Sequence, residues 1–144
     1  MGGIEYFSER LNDLIAESGM NIADVAHATG IKLSRLYDFR RGEHAPSLAN
    51  AIKLKELFKC SLDYMFGFTD DYGSCGETDC TLISDRVRGA IDSYGESRYA
   101  LSRRTGIDQS QLSKWYNGAK PSLVSLIALA KHLGVSLDYL AGEI

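Results

Sequence analysis

The chain has 144 residues, of which 44% are hydrophobic and 24% charged, with a formal net charge of −3. That length suits one ordinary domain or two small ones, and the balance is that of a globular protein rather than a disordered or fibrous one. No apolar run approaches the ~20 residues a membrane helix needs, and the opening Met-Gly-Gly-Ile-Glu-Tyr carries no signal-peptide pattern, so a cytoplasmic place with no membrane partner is expected.

In chain order, Phe7, Leu11, Leu14 and Ile15 recur at helical spacing and stop at Gly19. Asn21 is placed to cap a short second helix with Val25 and Ala26 facing inward, and Gly30 turns the chain into a third with Leu36 and Phe39 toward the core. Pro46 and Ser47 open a fourth, whose expected buried side is Leu48, Ala51, Ile52, Leu54 and Leu57. Ser61 caps a short fifth from Leu62 to Phe66, stopped by Gly67. There Met65, Phe66 and Phe68 exceed what the core needs and suggest a contact surface for a second copy. Residues 69–81 are polar and glycine-containing, with four acidic and no basic residues, the composition of a solvated acidic linker. A second set of five helices follows, over residues 83–94, 98–105, 109–116, 123–133 and 137–141.

The two sets are copies. Moving residues 7–44 forward by 76 brings Ser8, Arg10, Thr29, Gly30, Ile31, Ser34, Leu36 and Gly42 onto Ser84, Arg86, Thr105, Gly106, Ile107, Ser110, Leu112 and Gly118. A shift of 75 then brings Pro46-Ser47-Leu48 onto Pro121-Ser122-Leu123, and Ser61-Leu62-Asp63-Tyr64 onto Ser136-Leu137-Asp138-Tyr139. The expected architecture is all-α, with domains at 1–68 and 82–144 and the linker between them.

Charge is unevenly placed. Residues 1–68 hold eight basic and nine acidic residues, whereas residues 82–144 hold eight basic and six acidic. The second copy is therefore mildly basic, which is what an anionic partner requires locally. Its stretch Gly106 to Gly118 reads as one helix capped by Asp108, with Leu112 and Trp115 on one face and Ser110, Ser113, Lys114 and Asn117 roughly opposite. Short hydrogen-bonding side chains and a cation, without a carboxylate, suit approach to base edges and phosphates in a major groove. The preceding short helix, opened by Ser97 and joined through Gly106, makes the pair a helix-turn-helix.

These features resemble the Cro/C1-type helix-turn-helix family, the lambda-repressor-like or XRE domain, in both copies. The resemblance rests on Val25-Ala26 and Leu101-Ser102, Gly-Ile before the third helix, glycine after it, Pro-Ser-Leu, and the closing Ser-Leu-Asp-Tyr. It implies two compact five-helix bundles and a partner of double-stranded DNA. It implies base contacts from Gln109 and Ser110, continued by Ser113 and Lys114, and phosphate contacts from Asn117 and Arg98. Arg98 stands where the family commonly has Gln. In the first copy Ile22 takes that position, Leu33 replaces the base-contacting Gln, and Asp38 would repel phosphate. Lys32, Ser34, Arg35, Tyr37 and Arg41 are its candidate contacts, with Arg40 nearby. The first copy is open between a weaker DNA reader and a protein-binding module.

The expected function is sequence-specific DNA binding as a transcriptional regulator, a repressor in sense, read by the third helix of each copy and mainly the second. Family members usually dimerise over two half-sites, so a homodimer or an intramolecular pseudo-dimer is implied. The alternative is a protein-binding adaptor of antitoxin or anti-repressor type. Cys60, Cys75 and Cys80 are an odd set without zinc spacing; a redox role for Cys75 and Cys80 is a further alternative. No cofactor is implied, and His27, His44 and His132 are too scattered for a catalytic centre, so no enzyme is expected.

Overall fold

The chain folds as two units, one ending at Gly76 and the other beginning at Glu77. The computed structural model describes residues 2–144. The first unit holds α1 (Phe7–Ser18), α2 (Ile22–Thr29), α3 (Leu33–Arg41), α4 (Leu48–Phe58) and α5 (Leu62–Met65). The second holds α6 (Ile83–Tyr94), α7 (Arg98–Thr105), α8 (Gln109–Tyr116), α9 (Leu123–Leu133) and α10 (Leu137–Ala141). The five helices of the second unit begin and end where the sequence places them. Four of the five starts are caps: the side chains of Ser97, Asp108, Ser122 and Ser136 each accept a backbone N–H of the first turn, while α6 follows Leu82 without one. Such caps contribute about 1 kcal/mol each. Asn21 does more, exchanging bonds with Asp24 in a full capping box.

Residues matched between the copies prove to be clamps. Arg10 donates to the Tyr64 carbonyl at 3.1 Å and stacks 4.4 Å from that ring's centre; Arg86 does the same to Tyr139, at 2.8 and 4.4 Å. Each ties its unit's first helix to its last. The Ser8 hydroxyl donates to the Arg40 carbonyl and the Ser84 hydroxyl to that of Gly118, fastening the first helix to the end of the third. Thr29 and Thr105 each bond the carbonyl four residues back and accept from the isoleucine N–H two residues on. That staple closes the helix-turn-helix corner.

Each unit has its own core. In the first, Phe7 stacks on Phe66 with ring centres 5.3 Å apart and meets Phe39 edge-on at 5.6 Å. Met65 and Phe66 are fully buried there, so these two are core and not the contact surface the sequence suggested, while Phe68 is half-buried. The buried side of α4 also differs from expectation. Ala51 and Leu54 are buried, but Leu48, Ile52 and Leu57 are only half-covered. Lys55 is fully buried instead, its Nζ donating to the Gly76 carbonyl at 3.4 Å. Ala26 is likewise half-buried.

That Lys55 bond belongs to a second difference. The stretch 69–81 was expected to be a solvated spacer, yet its two ends are strapped to separate units. On the first, Asp70 pairs with Arg10 at 3.0 Å, the Tyr72 carbonyl accepts from the Ser61 N–H at 2.7 Å, and the Cys75 thiol donates to the Lys55 carbonyl. The Tyr72 hydroxyl donates to Glu17, whose carboxylate holds that phenol well above its ordinary pKa. On the second unit, the Asp79 N–H bonds the Gly142 carbonyl at 2.8 Å and the Ile144 N–H bonds that of Glu77 at 2.9 Å. Polar composition cannot distinguish water from protein as the partner of a backbone group.

Asp79 also opens a 3-10 turn, accepting from the Thr81 hydroxyl at 2.6 Å and the Thr81 N–H at 3.0 Å. The Thr81 hydroxyl bond, then its backbone bond, hold the Asp79 carboxyl below its ordinary pKa. A depressed carboxyl stabilises the fold above its unfolded pKa and loses that contribution as pH falls through the folded value. Thr81 amide exchange should therefore stay slow through mildly acidic pH and quicken only below the usual carboxylate range. Asp79→Asn should remove that step; a step unaltered by the substitution would assign it to another group.

Candidate nucleic-acid interface

In the second unit, Leu112 and Trp115 bury one side of α8, only 0% and 3% exposed. This pins the helix so that Gln109, Ser110, Gln111, Lys114 and Asn117 are exposed. Ser113, expected among them, lies half-buried on the flank, covered by neighbouring structure on its side of Leu112, whereas Gln111, equally far round the helix from Leu112, is exposed. Asn117 is the C-cap residue, followed by Gly118 with φ of 109°.

Asp108 does more than cap. One of its oxygens accepts the Ser110 N–H at 3.3 Å and the other accepts the Ser110 hydroxyl at 2.9 Å. The carboxylate can only accept, so the Ser110 hydroxyl proton is committed to it. What Ser110 keeps for a ligand is acceptor capacity.

Arg98, at the start of α7, is half-buried, with its guanidinium 4.4 Å from the centre of the Tyr116 ring. Beside it a cleft of about 340 Å³ opens, lined by Ser97, Arg98, Tyr99 and Gln109 and also by two carboxylates, Asp92, which accepts from the Tyr116 hydroxyl, and Glu96, which pairs with Arg104. The structure thus brings Arg98 and Gln109 to one opening. Nearby cations are otherwise engaged: Arg104 pairs with Glu96 at 3.3 Å and Arg103 donates to the Tyr99 hydroxyl at 3.2 Å. Tyr116 was not visible as a site residue in the sequence. Its one signal was that the first copy has Arg40 at the matching position.

The equivalent face of the first unit is built differently. Lys32, Leu33, Ser34, Arg35 and Tyr37 are exposed on α3 and at its start. Lys32 makes no side-chain cap, unlike its counterpart Asp108. Arg41 spends donors on Asp38 at 2.8 Å and Glu43 at 3.0 Å, and the bond to Glu43 raises its pKa further. Asp38, expected to repel a phosphate, is thereby neutralised along with the cation expected to attract one. Arg40 likewise donates to Asn12 at 2.7 Å. Leu33 and Tyr37, four residues apart on α3, remain 41% and 40% exposed.

Among the described residues no helix is long and apolar enough to cross a membrane, and no group of acidic, His or Cys side chains is arranged to hold a metal. All three cysteines are free thiols.

No curated protein and no solved structure matches the chain. A family model described as Helix-turn-helix, HTH_3, matches residues 11–65 and again residues 93–140, each stretch running from within the unit's first helix to its last. These two matches cover more than half of the chain, and it therefore belongs to the Cro/C1-type helix-turn-helix family of DNA-binding regulators, carried as two tandem copies.

Proposed function

We propose that the chain is a transcriptional repressor that reads double-stranded DNA in the major groove, with α8 as the principal reading helix. The observation that carries this is the exposed face of α8: Gln109, Ser110, Gln111, Lys114 and Asn117, with no carboxylate among them. Gln109 suits bidentate bonding to adenine N6 and N7. Ser110, left with acceptor capacity, suits a base amino group such as that of cytosine N4 or adenine N6. Lys114 and Asn117 suit phosphates on either side. Repression follows from occupancy of the site against polymerase.

The test is selection from a random duplex library, then a salt titration on the enriched duplex. Wild type is expected to enrich a motif and to lose affinity steeply with salt. Gln109→Ala/Ser110→Ala should lose about 1–3 kcal/mol per base contact on that motif while keeping its weaker binding to unrelated duplex. Absence of any enriched motif would overturn the reading.

A second reading applies to the first unit. Its exposed Leu33 and Tyr37, with Arg41 neutralised, favour a protein-binding role for α3 over groove reading. A motif with one half-site, indifferent to Leu33→Ser/Tyr37→Ser, supports that division of labour. Two half-sites, one weakened by that pair, would make α3 a reader, in a pseudo-dimer or a homodimer.

A further inference from the structure

The nine arginines of the chain differ in what occupies their donors. Seven are committed. Arg10 and Arg86 bond carbonyls, Arg88 bonds the Tyr116 carbonyl, and Arg40, Arg41, Arg103 and Arg104 bond side chains. Arg35 and Arg98 make no hydrogen bond or ion pair among the described residues. Arg35 is exposed, whereas Arg98 is half-buried with its guanidinium carbon over the Tyr116 ring, 4.4 Å from the centre.

The ring beneath Arg98 is itself fixed. The Tyr116 hydroxyl donates to the Asp92 carboxylate at 2.9 Å, and Arg88 lies 5.3 Å from the ring centre while its Nε donates to the Tyr116 carbonyl at 2.8 Å. A hydrogen bond to an anion makes the phenol ring more electron-rich, which strengthens its attraction for a cation on its face. A guanidinium attracted by its charge to a ring face spends none of its N–H groups on a hydrogen-bond acceptor. The result is an ordered cation with its donors open, beside the cleft it shares with Gln109.

The first unit serves as an internal comparison. At the positions of Asp92, Arg98 and Tyr116 it has Ala16, Ile22 and Arg40, so the assembly was built in one copy only.

We propose that Tyr116, anchored by Asp92, is a positioning residue that holds Arg98 over its ring and leaves the guanidinium N–H groups for a phosphate of bound DNA. This rests on the DNA-binding reading. It goes beyond that reading in assigning the second unit's phosphate grip to a three-residue relay, and in tying the difference between the units to its absence from the first.

The test uses the full chain and the duplex enriched by wild type. Arg98→Met should lower affinity about tenfold and reduce the slope of log K against log salt by about 0.9, as loss of one phosphate contact requires. Tyr116→Leu should lower affinity about three- to tenfold, no more than loss of Arg98 itself, and shift the slope in the same direction. Tyr116→Phe, which keeps the ring and loses Asp92, should fall between. The decisive arm is the double variant: with Arg98 already Met, Tyr116→Leu should change neither affinity nor slope further. A merely structural Tyr116 would instead lower the melting temperature and weaken binding equally in both backgrounds, and that result would overturn the proposal. Unaltered binding in Arg98→Met would overturn it as well. In the free protein, the Arg98 side-chain protons should be ring-current shifted in wild type and return in Tyr116→Leu. If they are shifted but wild type shows no salt-steep binding to any duplex, the DNA reading has failed rather than the stack, and the phosphate role falls with it.

Discussion

Trp115→Ala is expected to cost the second unit about 3–5 kcal/mol and to abolish DNA binding while leaving the first unit folded. Trp115 is 3% exposed and shares the buried side of α8 with Leu112, so it sets which face of that helix points outward. A unit of this size has little stability to spare, because small cores bury too little apolar surface. The substitution removes most of a large side chain and leaves a cavity the neighbours can only partly fill. Each unit has its own core, so the loss should register in one of them. Amide exchange should rise throughout α6 to α10 and stay near wild type in α1 to α5. Trp115→Phe should recover most of the stability, since the first copy uses Phe39 at the same place, also buried. Uniform loss of protection across both units would show that they fold as one cooperative body.

Gly142→Ala is expected to be the most damaging small substitution in the chain, costing about 2–4 kcal/mol. Gly142 has a φ of 106°, a region where a side chain is strained, and a Cβ built there would lie 2.1 Å from the Asp79 backbone oxygen. That oxygen belongs to the segment whose N–H bonds back to the Gly142 carbonyl, so relief requires breaking the strap. The observable is exchange at the Asp79 and Ile144 amides, which should lose protection together, with an earlier urea midpoint for the second unit. Gly67, the matching residue of the first copy, is a useful contrast. Its added Cβ would meet the Tyr6 ring at 2.3 Å, a side chain able to move, so Gly67→Ala should cost less. Equal costs would mean that the strap yields as readily as a side chain.

The helices of this protein were legible because their ends are written locally. A Ser, Asn or Asp that accepts a first-turn N–H, and a glycine that takes the left-handed turn, act within a few residues of each other. The repeat was legible for the same reason, and its matched residues turn out to hold each bundle together. Arg10 with Tyr64, Arg86 with Tyr139, and the paired Thr29 and Thr105 are fold determinants. The residues that differ between copies, such as Leu33 against Gln109 and Asp38 against Lys114, are the ones on the exposed face of the third helix or beside it. Shared residues therefore marked the family, and unshared ones mark what each copy can touch.

Periodicity named the inward face of α8 but not the half-burial of Ser113, since 100° steps locate a residue on the helix and not the edge of its neighbours. Sequence alone determined the all-α fold, the two copies, the caps and the buried pair Leu112 and Trp115. The tertiary structure decided that Lys55 and Phe66 lie inside, that residues 69–81 are strapped down, that Arg41 is consumed by Asp38 and Glu43, and that Arg98 sits over the Tyr116 ring with its donors open. The physical reason is range. Caps and helical faces depend on neighbours within a turn or two, whereas the availability of a cation or the burial of a lysine depends mostly on partners brought close only by folding.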